Sequence, residues 1–397
     1  MRLHFLDNIR WVVVLLVLVF HVFYYYSACC TSGTGIGGFS ATQPQDAVVY
    51  FLYPWMMPLL FLVAGISSRY ALQHRTAREY LRSRTIKLLL PALLGPLFFQ
   101  WIAGWFGMLT LNYRLGTDMA AGQPLWIVAI VVIISGGGGL WFIKLLWLFS
   151  MLTPLISRIG NRFAARSLFA SSRRQAWWVA AGTLVGGCLL WLADQTVLDV
   201  HSLQSPAALY NLYRPLYYFT AYLLGYFFFA RKRVQYCLMQ WRWVTVPLAL
   251  LCGIWLTVTT FGQDPYSPAY IRSWGNNLYA WLMIIAVFGG FKAWADSTNR
   301  FATYCTENSY GIYILQFAVQ LSIGYLLRAH TALPAWSMYL ILMMAMFTVT
   351  PALNELFRRI PVIRLCVLGY LPPKKPVQPQ TLPSPANIQP QNNTPSI

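Results

Sequence analysis

An arginine and a histidine eleven residues apart, Arg10 and His21, lie in the apolar run that opens this chain. On a helix, eleven steps of about 100° return to within roughly 20° of the start while the axis advances about 16 Å. Both side chains then leave one face, Arg10 at a membrane boundary and His21 past mid-membrane. An imidazole buried there is neutral, the form that can accept a hydroxyl proton as general base. Asp7, one turn before Arg10, is placed to pair with it. Each residue also has a plainer use. A boundary arginine snorkels, and a deep histidine can hydrogen-bond between helices without doing chemistry.

A second constellation is Arg78-Glu79-Tyr80-Leu81-Arg82-Ser83-Arg84-Thr85-Ile86-Lys87. Guanidinium groups grip phosphate through two parallel hydrogen bonds, which suits a nucleotide-bearing donor such as coenzyme A. Arg82 and Arg84 are two apart, so a regular helix does not aim them together. A shared site needs a kinked helix start or a ligand touching two sides. The alternative is an ordinary basic loop. Lys144, four residues into an apolar run, could meet a sugar or phosphate or could snorkel. Trp141, Arg214 and Trp274 could line a sugar site, with interfacial anchoring as the other reading of the tryptophans. The 7 Cys are odd in number and scattered, with no CxxC pair, so neither a disulfide framework nor a metal site is expected. The adjacent Cys29-Cys30 pair reads as packing.

The elements that must hold these residues are set by composition. Of 397 residues, 58% are hydrophobic and 10% charged, and the mean hydropathy is +0.52. Soluble domains carry roughly a quarter charged residues, so the solvent of this fold is lipid. The reading is an all-α polytopic transmembrane bundle of about ten spans: 11–28, 48–67, 86–107, 140–156, 176–193, 213–230, 244–261, 278–295, 309–327 and 335–353. The stretch 125–135 is too short to cross. It runs into Gly136-Gly137-Gly138-Gly139 and reads as re-entrant or interfacial.

Placing both termini in the cytoplasm puts 24 of the 29 Lys and Arg on inner segments. Arg114, Arg214, Arg272 and Arg328 fall outside, and Lys144 lies within a span. That asymmetry follows the positive-inside rule. The net charge of +19 is therefore topological, its partner the anionic lipid of the inner leaflet, and nucleic acid is not required. Three regions follow: a membrane domain over 1–355, a basic cytoplasmic segment over 356–370, and a Pro/Gln-rich tail over 371–397 expected to be disordered.

Several segments, taken in order, resemble the acyltransferase-3 family of integral membrane acyltransferases. Arg10 and His21 are similar to that family's opening, an arginine followed by ten residues and a histidine. Arg82-Ser83-Arg84 resembles its Arg-x-Arg element, and Phe61-Leu62-Val63-Ala64-Gly65-Ile66 its Phe-Phe-hydrophobic-Ser-Gly segment. Leu140-Trp141-Phe142 resembles a Leu-Trp-Phe span start, and Ser309-Tyr310-Gly311-Ile312-Tyr313 a late Ser-Tyr-x-x-Tyr helix. The likeness covers residues 1 to about 355 and looks closest to the glucan biosynthesis protein C type. Two positions differ. Gln316 stands where many members carry a histidine, and Gly138-Gly139 where glucan-type members tend to have Ser-His.

The resemblance implies a multi-pass enzyme of the bacterial inner membrane. It would move an acyl group, acetyl or succinyl, from cytoplasmic acyl-CoA to a hydroxyl of a cell-surface or periplasmic glycan or a lipid-linked sugar. It implies catalytic roles for His21, Arg10 and Asp7 and donor binding by Arg82 and Arg84; Lys144 and Trp141, by position and residue type, are the candidates for acceptor contacts. No permanently bound cofactor is implied. The competing class is a secondary transporter or flippase of glycans or amphiphiles. Against it, none of the ten Asp and Glu residues is placed mid-span, so a carboxylate proton relay is missing.

Overall fold

The computed structural model describes residues 3–28, 35–36, 42–164, 172–199, 210–211 and 213–370. The Cys29-Cys30 pair and the tail 371–397 lie outside the described residues. Every regular element among the described residues is helical, as hydrocarbon demands of a chain that must satisfy its own backbone. In chain order they are α1 His4–Tyr26, α2 Ala47–Gln73, α3 Ala77–Arg84, α4 Leu90–Gly95, α5 Trp101–Leu115, α6 Leu125–Gly136, α7 Trp141–Ala164 and α8 Ser172–Asp194. There follow α9 Pro215–Leu224, α10 Lys232–Thr260, α11 Pro268–Arg272, α12 Trp274–Trp294, α13 Arg300–His330, α14 Ala335–Arg359 and α15 Pro361–Cys366.

Nine helical stretches among the described residues are long and apolar enough to cross a membrane. The tenth expected span, 213–230, is shorter than anticipated. Arg214 takes a left-handed backbone conformation (φ +40°) before Pro215, and α9 continues only through a π-helical turn, Gly225–Phe229. Its 15 residues, Pro215–Phe229, lie within two residues of the expected bounds. It still runs between the two ends of the bundle. Arg214 pairs with Asp194 at one end, and at the other Arg69 Nη1 donates to the Tyr226 carbonyl (3.0 Å). Tight packing holds it: a Cβ on Gly65 would lie 2.0 Å from the Tyr222 carbonyl oxygen, and one on Gly225 would lie 2.0 Å from that of Leu62. The backbones of α2 and α9 touch there.

The stretch 125–135 is also corrected. The glycine run does not stop it. Gly137–Leu140 winds as a 3-10 turn joining α6 to α7, so the helical stretch continues from Leu125 to Arg158. Lys144 Nζ donates to the Gly137 carbonyl (2.8 Å), which ties that joint.

Helix α1 is central. Its start is anchored by Asn8, whose Nδ2 donates to the carbonyls of Ala295 (2.7 Å) and Ser297 (2.8 Å). Phe5 packs edge-on to Phe288, and Phe23 stacks on Tyr339. After α15 the chain folds back onto the bundle end. Val367 and Leu368 are fully buried, and the Tyr370 hydroxyl donates to the Glu307 carbonyl (2.8 Å). Gly369 (φ +63°) passes so close to Lys87 that a Cβ would lie 2.7 Å from its carbonyl oxygen.

Candidate active site

A cavity of about 1620 Å³ opens at the bundle end formed by the start of α1, the end of α2, α3, the start of α13 and the end of α14. Eight Lys and Arg line it against three Asp and Glu, so it is a basic chamber. Arg10 is fixed in its wall by Asp7 (2.7 Å) and the Ser67 hydroxyl, which itself donates to the Val63 carbonyl (2.7 Å). Arg84 lines the same space, its guanidinium 5.3 Å from the centre of the Tyr80 ring. Lys87 is held over Tyr310, whose hydroxyl donates to the Lys87 carbonyl.

The structure does not bring Arg82 beside Arg84. Arg82 is exposed and does not line the chamber. The reason is local geometry: α3 is regular through Arg84, and the π-helical turn Thr85–Leu89 begins only after both arginines. Two steps on a regular helix leave side chains about 200° apart.

At its deep end the chamber reaches Val14, Phe142 and Tyr313. Arg10 and Val14 both line it, so that face of α1 is turned toward it, and His21 is the next polar residue on the same face. His21 is buried, and its Nδ1 lies 2.7 Å from the Val17 carbonyl oxygen. A carbonyl can only accept, so in the neutral ring Nδ1 carries the proton and Nε2 keeps its lone pair. The backbone is held as well, because Gln320 Nε2 donates to the His21 carbonyl (3.0 Å).

A thin wall closes the chamber near this ring. The Tyr313 hydroxyl donates to the Gly139 carbonyl (3.3 Å), and Gly139 abuts Phe317 so closely that a Cβ would lie 2.6 Å from that ring. Phe317 in turn meets His21 edge-on, with 4.7 Å between centroids. On the far side lies a second cavity of about 290 Å³, lined by Phe317, Gly138 and Gly139 among others. His21 lines neither cavity and meets the second only through the Phe317 ring. Along α1 beyond it, Tyr24, Tyr53 and Tyr266 form an aromatic group, with ring centroids 5.3 Å apart for Tyr24–Tyr266 and 4.6 Å for Tyr53–Tyr266.

The remaining candidates sit apart. Trp141 packs among aromatic rings, 5.4 Å from Tyr218, and lines neither cavity. Lys144 is engaged with the glycine joint. Arg214 is buried against Asp194 (Nε to Oδ1 3.0 Å) with Tyr217 4.2 Å from its guanidinium. Trp274 is exposed and packs at a tilt against Trp255, with 5.4 Å between ring centroids.

This arrangement sets an arginine-lined chamber and a base-competent histidine along one face of α1. A family model described as an acyltransferase domain, that of the acyltransferase-3 family, matches residues 3–355. The chain belongs to the acyltransferase-3 family. No curated protein and no solved structure matches it. It is a multi-pass membrane acyltransferase, and the matched region contains every residue of the chamber except Arg358, Arg359, Arg364 and Tyr370.

Several residues of this candidate site had only a weak signal in the sequence. Lys87 closed the basic constellation without a role of its own, and Arg364 counted merely as inner-side charge. Tyr310, Tyr313 and Phe317 share one helical face by their spacing of three and four, but nothing in the sequence says what that face meets. Gln316 is fully buried with both amide atoms unpaired among the described residues. Its environment is a product of packing.

Proposed function

We propose that the basic chamber takes the phosphate-rich part of a cytoplasmic acyl-CoA, and that the acyl group passes to a hydroxyl of a cell-surface or periplasmic glycan. What supports this reading is the placement of Arg10 and Arg84 on one chamber, with Arg10 on the face of α1 that also carries His21. Arg84 would bind a donor phosphate, with Arg82 outside the direct contact. Arg10, braced by Asp7 and Ser67, would hold the pantetheine side or orient the thioester.

His21 Nε2 would accept the acceptor's hydroxyl proton as that oxygen attacks the thioester carbonyl. The carbon–oxygen bond forms, the carbon–sulfur bond breaks, and the imidazolium returns its proton to the departing thiolate. Tyr24, Tyr53 and Tyr266 offer ring faces on which a sugar could stack from the outer side. With both termini cytoplasmic, this direction carries the acyl group outward across the inner membrane.

The test is mass spectrometry of surface glycans and periplasmic glucans from cells with and without the gene. A gain of one acyl unit in one glycan fraction, lost with His21→Ala, is expected. Purified enzyme that releases no free thiol from any acyl-CoA in the presence of that glycan would reject the donor assignment.

A further inference from the structure

We infer that the second cavity seats the acyl chain of the donor, and that the enzyme therefore prefers a medium-length apolar acyl group over acetyl or succinyl. This rests on the reading of His21 as the reacting centre and adds the class of group transferred.

The cavity, about 290 Å³, is separated from His21 by one ring, Phe317, which touches the imidazole and lines the cavity as well. A turn of the Phe317 ring would open this separation, and a thioester carbonyl at Nε2 would then have the donor chamber on one side and this space on the other. Its chemistry is apolar: Ala103, Met108, Leu111, Val131 and Leu321 line it with glycine backbone. Its hydroxyls are already engaged, Thr110 with the Tyr25 hydroxyl (2.8 Å) and Ser135 with the Val132 carbonyl (3.2 Å). Arg114 also lines it, its Nη1 donating to the Gly35 carbonyl (3.2 Å). A sugar would find few partners here, whereas a hydrocarbon chain would leave none unsatisfied. Since an apolar cavity of roughly 150 Å³ takes a benzene ring, this one has room for a chain of about eight carbons.

Two glycines make the inference testable without breaking helix contacts. A Cβ on Gly107 would meet only the Leu321 methyl at 3.9 Å, and one on Gly138 would meet nothing within 4 Å. Gly104 and Gly136 are different, because a Cβ there would lie 1.9 and 2.1 Å from backbone oxygens of Val132 and Gln100. Gly107→Leu and Gly138→Leu should therefore fill the cavity and leave the joint intact.

The experiment measures kcat/KM of the full-length purified enzyme with acetyl-, butyryl-, hexanoyl-, octanoyl- and succinyl-CoA. Hexanoyl- or octanoyl-CoA is expected to exceed both acetyl- and succinyl-CoA. Gly107→Leu should lower the octanoyl-to-acetyl ratio by about tenfold or more, since each methylene kept out of an apolar site costs roughly fourfold. Gly138→Leu gives the same reading if Gly107→Leu does not fold. A wild-type preference for acetyl- or succinyl-CoA, or an unchanged ratio in a folded variant, overturns the inference. A second measurement is independent of turnover: octanoate should protect Gly138→Cys from maleimide, and acetate should not. If no acyl-CoA is consumed yet octanoate protects, the donor assignment fails while the chain site stands. Absence of protection, or a membrane lipid retained there by native mass spectrometry and displaced in Gly107→Leu, refutes the chain site.

Discussion

The His21 imidazole stands edge-on to Phe317, with 4.7 Å between ring centroids, and so ties α1 to α13. The same two helices are joined again by Gln320 holding the His21 carbonyl. The ring is consequently fixed in place and in tautomer, Nδ1 toward Val17 and Nε2 free to act as a base.

Removing that base should cost the reaction and spare the fold. His21→Ala and His21→Gln are each expected to slow acyl transfer by about 10² to 10⁴-fold, the usual loss for a general base. Single-turnover assays on variants matched for abundance, with thermal unfolding as control, check this. Near-normal turnover in either variant would make His21 a structural residue.

Arg84 and Arg82 should separate. Arg84→Ala is expected to raise the KM for acyl-CoA more than it lowers kcat, and Arg84→Lys to recover only part, because an ammonium lacks the two-pronged fork. Arg82→Ala, on the exposed side of α3, should change either constant far less. Acyl-CoA titration of the three variants decides it, and equal effects at both positions would mean the donor reaches around the helix.

The Asp194–Arg214 pair should matter to stability and little to chemistry. Both side chains are buried, so Arg214→Ala would strand a carboxylate and cost about 3–5 kcal/mol. The double change Asp194→Leu with Arg214→Leu is expected to regain most of that. Thermal unfolding measures the loss, and a raised KM for the acceptor with normal stability would point to a sugar contact at Arg214.

The end of the chain divides at Tyr370. Truncation after Leu371 should leave insertion and activity nearly unchanged. Leu368→Ala should destabilise by about 2–5 kcal/mol, the range for emptying a fully buried leucine site. Denaturant unfolding in detergent, with activity per folded molecule, compares the two.

Topology can be read by labelling. A probe at Thr117→Cys should react with an impermeant maleimide applied to intact cells, while one at His74→Cys should react only after permeabilisation. The reverse pattern would invert the bundle and place the basic chamber outside.

The sequence by itself determined the solvent, the helical class and the family, because bilayer-length apolar runs and Arg10, His21 and Arg82-Ser83-Arg84 are one-dimensional signals. It also placed Asp7 with Arg10, since pairing three residues apart on a helix is local. It misjudged the glycine run at 136–139, where packing and Lys144 let a 3-10 turn carry the helix onward. The span at 213–230 starts two residues late because a left-handed Arg214, held by Asp194, precedes Pro215. Only the tertiary structure decided that Arg84 and not Arg82 faces the chamber, that Ser67 braces Arg10, and that Phe317 stands between His21 and a second cavity. Those relations join residues 57 to 296 positions apart in the chain, and a periodicity along one helix carries no information about which neighbour packs against it.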